Sequence, residues 1–148
     1  MFHFEGQWYW GLDRLRVLER RLIAEGFASD DRGVLFLEPS ADQLPNLTSS
    51  DVELEYFPSL RSPYTAIGHA RVLDLIERSN VQVNVRVVMP MMMRGVPAPT
   101  AKGQAIMTDA AREGRYFGSP MGRIVDPFGE PIKKAYAFLP ELRQRGLL

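Results

Sequence analysis

The sequence contains no cysteine among its 148 residues. A chain without thiols forms no disulfides, carries no thiolate nucleophile and binds no metal through sulfur. Histidine is also scarce, since only His3 and His69 are present and they lie far apart in the sequence. We therefore predict no metal site and no dithiol redox chemistry performed by the chain itself.

Neither sign of charge is in excess, because 18 basic side chains balance 18 acidic ones. We therefore expect no broad electrostatic binding of nucleic acid. Long apolar runs are missing too: the longest, residues 85–93, is interrupted by Arg86 and Pro90, so we predict no membrane-spanning segment. The N-terminus lacks the basic start and small-residue cleavage site of a secretory signal. Together with the absence of cysteine, this predicts a cytoplasmic protein.

What the chain does contain is an ordinary globular composition, with 45% hydrophobic and 24% charged residues. Residues 1–27 combine an aromatic-rich stretch around Gly6 with an amphipathic helix. The stretch predicts two short strand pieces around a turn, or one strand with a bulge. The helix opens at Gly11 and Asp13 and stops at Gly26, with its leucines on one stripe and its arginines largely outside it.

Residues 28–50 are rich in Asp, Ser, Asn and Pro and form the predicted linker, with one short apolar piece, Val34–Leu37, that is a candidate strand. Beyond it, alternating apolar residues predict strands over 52–57 and 81–88, and helical spacing predicts a helix from Pro63 to Arg78. A strand, helix and strand in this order predict a parallel βαβ unit, and hence an α/β fold.

Two more helices are predicted further along. One runs from Ala101 to Glu113 and is ended by Gly114; the last begins near Ile132. Between them, Arg123 and Asp126 are interpreted as partners that fix a loop. Methionines in the run 89–93 either line an apolar pocket for an aromatic substrate or fill space beside the sheet.

Ser62 lies at the turn from the first of these strands into the helix, and it has two interpretations. A serine followed by Pro63 is a helix N-cap with proline at the first helical position. The same helix end stabilises an anion, so a thiolate supplied by a ligand is the other candidate occupant. A serine hydroxyl at the cap can donate a hydrogen bond to such a thiolate, and both interpretations stay open at this point. His69, two turns on, is a possible general base.

The run LEYFPSLRSPYTAIGHARVLDLIE resembles the first strand, active-site turn and first helix of DsbA-like thioredoxin-fold proteins. It is most similar to the branch that contains 2-hydroxychromene-2-carboxylate isomerase and kappa-class glutathione transferase. KGQAIMTDAAREGRYFGSPMGRIVDPFGEP also resembles the helical insertion of that family, with Lys102, Asp109 and Arg112 at the usual spacing.

The resemblance implies a thioredoxin-like α/β fold and a glutathione-dependent isomerase or transferase that acts on an apolar aromatic substrate. Ser62 matches the family's serine that binds the sulfur of glutathione, and Pro63, Tyr64 and Thr65 occupy the rest of that turn. On this resemblance we expect Ser62 to hold the thiolate, with the backbone N–H groups of Tyr64 and Thr65 assisting. With Ser62 and Thr65 in the two redox positions, the resemblance implies no dithiol redox activity.

A second piece, FEGQWYWGLDRLRVLERRL, resembles the end of such a domain, although it comes first here. Residues 51–148 then correspond to the first half of a domain with part of its insertion, and the C-terminal half, with its cis-proline strand, is incomplete. A fragment of a tandem protein or a permuted, shortened domain explains this order, and we favour the fragment. Either arrangement leaves one edge of the sheet without its neighbouring strand, so we expect a homo-oligomer or a partner domain that covers this edge. The alternative function is a catalytically silent thioredoxin-like binding or dimerisation module.

Overall fold

The computed structural model describes residues 1–29, 35–36, 52–79 and 81–147. The chain divides into two compact units, residues 1–45 and 46–148, and their boundary falls inside the predicted linker. Helices and strands occur in both units, which confirms the mixed α/β class. None of the described helices is long and apolar enough to cross a membrane.

The first unit begins with an antiparallel hairpin of two three-residue strands, β1 (Phe2–Phe4) and β2 (Gln7–Tyr9). Between them, Glu5 and Gly6 both have positive φ angles, 43° and 75°. Two successive positive angles are the geometry of a type I′ turn, whose twist suits a two-residue hairpin loop. The prediction of two strand pieces around a turn is therefore confirmed, and the bulged single strand is excluded.

A short 3-10 helix, Leu12–Arg14, leads into α1 (Leu15–Ala24). Gly26 ends α1 as predicted, because its φ of 78° lets the Phe27 N–H donate to the Leu22 carbonyl at 2.8 Å. Among the arginines expected outside the apolar stripe, Arg16 is instead buried. Tyr9 of the hairpin is fully buried.

Of the candidate strand at 34–37, only Leu35 and Phe36 are described, and neither is in a strand. Their backbone N–H groups donate to the Glu19 carboxylate at 2.8 and 3.0 Å instead of to a neighbouring strand. The rest of the predicted linker, residues 30–34 and 37–50, lies outside the described residues.

The second unit contains the predicted βαβ arrangement: β3 (Glu53–Tyr56), α2 (Pro63–Ser79) and β4 (Gln82–Val85). The two strands are parallel neighbours, which confirms that prediction. Pairing continues past the strand ends, since Arg86 N–H donates to Tyr56 O and Val88 N–H donates to Pro58 O, both at 2.8 Å.

Helix α3 (Thr100–Tyr116) is longer than predicted, because Gly114 does not end it. Gly114 is buried, and a Cβ at this position would lie 2.5 Å from the Ser119 carbonyl oxygen and 3.1 Å from Ile67 Cγ2. The absence of a side chain at Gly114 therefore allows α3 to pack closely against α2 and the following loop. The prediction that Gly114 ends the helix was wrong.

The chain ends in α4 (Glu130–Ala137) and α5 (Leu139–Gln144), so the last helical region begins two residues before Ile132. Ile132 is buried. Tyr136 of α4 joins two parts of the βαβ unit: its hydroxyl accepts the Leu60 N–H at 3.4 Å and donates to the Val88 carbonyl. This contact fixes the loop between β3 and α2, where the candidate site lies.

Candidate functional site

Ser62 caps α2, a helix of 17 residues. Its Oγ accepts the Thr65 N–H at 3.3 Å, and its carbonyl accepts the Ala66 N–H at 3.1 Å as the first bond of the helix. Pro63 follows as the first helical residue, where its missing N–H costs no helical hydrogen bond. The cap interpretation of Ser62 is therefore confirmed.

The loop before the cap folds back on the helix. Thr65 Oγ1 accepts the Ser59 N–H at 3.2 Å, and the Ser59 carbonyl accepts the Ser62 N–H at 3.0 Å. Two of the four expected site residues, Ser62 and Thr65, thus hold the turn through direct bonds. Because each bond joins residues only a few positions apart, the turn is preorganised before any ligand binds.

In this geometry the hydroxyl hydrogen of Ser62 remains able to bind a ligand. A serine hydroxyl that accepts a hydrogen bond still carries a hydrogen to donate. A donor at the positive end of a helix dipole fits a thiolate sulfur, which is anionic and accepts hydrogen bonds. The Thr65 N–H, which we expected to face the thiolate, is engaged by Ser62 Oγ, so that part of the expected site is corrected.

Tyr64 connects the first turn of α2 to α3. Its hydroxyl donates to Asp109 Oδ2 at 2.8 Å, and Arg112 Nη2 contacts Asp109 Oδ1 at 3.3 Å. Asp109 is buried, and a buried carboxylate needs such partners to offset its lost hydration. Asp109 and Arg112, which the sequence analysis named, thereby hold Tyr64 of the turn in position.

Arg61, directly before Ser62, is a site residue that the sequence reasoning missed. Its guanidinium makes two bonds of 2.7 Å to the Asp126 carboxylate and lies 5.2 Å from the centre of the Phe128 ring. Asp126 therefore pairs with Arg61 and not, as expected, with Arg123. The two parallel bonds match the planar guanidinium to the carboxylate, which makes the contact stronger than a single bond would be.

The pair also affects the titration of both groups. The Arg61 guanidinium lowers the pKa of Asp126, and the Asp126 carboxylate raises the pKa of Arg61. Asp126 Oδ1 further accepts the Phe128 N–H at 3.1 Å. An arginine directly before the capping serine, and an Asp-Pro-Phe-Gly turn much later, were the only sequence signals for this contact.

His69 lies on the side of α2 that contacts β3, and its ring contacts Tyr56 of that strand instead of the turn. Its Nδ1 is 3.2 Å from the Tyr56 hydroxyl, and the two rings stack with centres 6.0 Å apart. Burial raises the pKa of Tyr56. The imidazole is therefore occupied with Tyr56, and the geometry does not bring it to Ser62 as a general base.

The turn is a surface site. One open cleft of about 350 Å³ is lined by Glu53, residues 82–85 and Arg143, and no residue of the turn 62–65 borders it. Apolar side chains are instead exposed close to the turn in sequence, on Phe57, Leu60 and Tyr64. Within the described part of the chain, no group of three or more His, Cys, Asp or Glu side chains could hold a metal ion.

No family model, curated protein or solved structure matches this chain.

Proposed function

We propose that this protein is a thioredoxin-like domain that binds glutathione through the turn 62–65 and catalyses isomerisation or conjugation of an apolar aromatic substrate. The observation that carries the proposal is the hydroxyl of Ser62, held at the N-terminus of a long helix that follows a parallel strand. In α/β proteins, ligands bind beyond the carboxyl ends of parallel strands. The turn is in that location.

Glutathione, when bound, supplies a nucleophilic sulfur. Ser62 donates its hydroxyl hydrogen to that sulfur, and the helix dipole favours its anionic form over the thiol. Tyr64, which is 40% exposed, together with Phe57 and Leu60, offers apolar surface for an aromatic substrate. Tyr64 is held by Asp109, so this surface is fixed in place.

A catalytically silent binding module is the second candidate. It is favoured by the bond from the Thr65 N–H to Ser62 Oγ, because a serine that serves as a cap needs no ligand to explain it. The two candidates predict different responses to a thiol, so one experiment separates them.

The experiment is thermal unfolding of the wild type and of Ser62→Ala, with and without millimolar glutathione. As a cap, Ser62→Ala costs about 1 kcal/mol whether ligand is present or not. A thiol site adds a glutathione-dependent stabilisation of the wild type by mass action, and this gain is absent in the variant. S-methylglutathione is the control ligand, since it retains the tripeptide without an ionisable sulfur. Equal effects of the two ligands, or none, support the silent module.

A further inference from the structure

The outer edge of β3 has no neighbouring strand within the described part of the chain. Tyr56 accepts the Arg86 N–H, so the parallel ladder directs the backbone of Leu54 and Tyr56 towards β4. The backbone groups of the alternate residues, Glu53, Glu55 and Phe57, therefore point away from β4. They form a row of donors and acceptors that another extended chain can bind.

The outer edge of β4 differs. The Val85 carbonyl, which points away from β3 by the same alternation, accepts a hydrogen bond from the Arg143 guanidinium of α5. A charged side chain placed on an edge in this way hinders strand addition. No described residue bonds to the corresponding outward groups of β3, so the two edges of the sheet are not equivalent.

The side chains along β3 indicate the chemistry of its partner. Glu55 pairs with Arg86, which extends the neighbouring strand, at 2.6 Å. Glu53 is exposed and has no ion-pair partner among the described residues. Phe57, two positions beyond Glu55, is 52% exposed. A strand that pairs with this edge would lie opposite the carboxylate of Glu53 at one end and opposite the ring of Phe57 at the other.

We propose that the open edge of β3 binds an extended segment of a partner protein, with a basic side chain opposite Glu53 and an apolar one opposite Phe57. Backbone hydrogen bonds supply affinity in this mode, and alternate side chains supply specificity. Opposite charges facing each other across strands are favourable, whereas like charges are not. Antiparallel pairing with β3 of a second copy, centred on Glu55, would set two glutamates opposite each other, which makes that register unfavourable. The site requires neither Ser62 nor glutathione.

The test uses the full chain and short capped peptides, without any thiol. A fluorescent peptide, otherwise built of threonine, carries a lysine and a valine four positions apart, so that both side chains lie on one face of the strand as Glu53 and Phe57 do. It is titrated with the protein and its anisotropy is measured. The matched peptide has glutamate in place of lysine. A third peptide repeats the lysine sequence with N-methyl groups at every second backbone nitrogen, on the edge that would face β3. We expect binding of the first peptide and loss of binding with both others.

Variants of the protein then locate the site. Glu53→Gln is expected to weaken lysine-peptide binding about twofold to fivefold, the value of one cross-strand charge pair. Glu53→Pro removes an outward N–H that no ladder bond uses, and proline is tolerated at the first residue of an edge strand; it should abolish binding. Glu77→Gln, an exposed glutamate of α2, is the control and should bind as the wild type does.

Three results would overturn the proposal. The first is equal binding of the lysine and glutamate peptides, and the second is binding that backbone N-methylation does not affect. The third is concentration-dependent self-association that Glu53→Pro abolishes, since the edge would then take a second copy. If Glu53→Pro does not fold, the N-methylated peptide tests the same backbone bonds on the unaltered protein.

Discussion

In residues 1–29, Arg21 links the hairpin to α1 through several hydrogen bonds at once. Arg21 of α1 donates to Glu25 at 2.6 Å, to Glu5 at 3.1 Å, to the Tyr9 hydroxyl at 3.2 Å and to the Phe4 carbonyl at 3.3 Å. The Tyr9 hydroxyl and the Glu25 carboxylate raise the pKa of Arg21, so it stays charged. The Phe4 ring centre also lies 4.9 Å from its guanidinium carbon.

Residues 46–148 hold their elements through several separate contacts instead. Tyr64 reaches Asp109 of α3, Arg61 reaches Asp126 of the loop before α4, and Gly114 lets α3 approach α2 closely. The difference follows from element length. Strands of three residues bury little by themselves, so a multivalent arginine contributes strongly to their position, whereas helices of 17 residues distribute their contacts.

Arg21→Met should therefore have the largest effect on its unit. The variant keeps an unbranched side chain of similar length but removes the hydrogen bonds from Arg21 to Phe4, Glu5 and Tyr9. We expect Trp8 and Trp10 to lose their fixed surroundings, measured as loss of the near-ultraviolet circular dichroism and a shift in tryptophan fluorescence. Arg21→Lys should lose most of the signal too, because an ammonium cannot reproduce the planar fork. Full retention of both signals in both variants would contradict a main role of Arg21 in holding the hairpin on α1.

Gly114→Ala should have the next largest effect. Its new methyl group meets a backbone carbonyl, and overpacking of this kind costs about 1–3 kcal/mol. Gly103→Ala in the same helix is the matched control, since nothing lies within 4 Å of its added Cβ. That variant should gain about 0.5–1 kcal/mol from helix propensity. Denaturant unfolding gives both values, and a change of the same sign in both would refute close packing at Gly114.

The contact between Arg61 and Asp126 should have the smallest effect, and one that depends on pH. Arg61 lowers the pKa of Asp126 in the fold below its unfolded value of about 3.9. The contribution is therefore fully present above that value and is lost as pH falls through the folded pKa. Because Asp126 is largely exposed, we expect at most about 1 kcal/mol, reduced by salt.

Asp126→Asn measures this contribution. Its stability should fall below that of the wild type at neutral pH and match it in strong acid. Asp74→Asn, which breaks an exposed ion pair with Arg78 within α2, is the control and should cost about 0.3–0.5 kcal/mol. A deficit for Asp126→Asn that persists unchanged below the folded pKa would show that the ion pair is not its cause.

The local parts of this fold could be predicted from the sequence. The hairpin, the end of α1, the parallel pair and the Ser62 cap each depend on residues close in sequence or on alternation within one element. Arg61 and Asp126 could not be paired in this way, since 65 positions separate them. Gly114 could not be interpreted from the sequence for a different reason. Glycine both ends helices and permits close packing, and only the positions of Ile67 and Ser119 show that it does the second here.

In a mixture of the protein with glutathione, the only thiol belongs to glutathione, because the chain has no cysteine. The pH titration of glutathione labelled with ¹³C at its cysteine can then be followed by the NMR signal of that carbon, with the protein in excess. We expect the thiol of bound glutathione to titrate below the ordinary value of about 8.5, and this shift to shrink in Ser62→Ala. A glutathione titration that is identical with and without the protein would contradict thiolate stabilisation at Ser62.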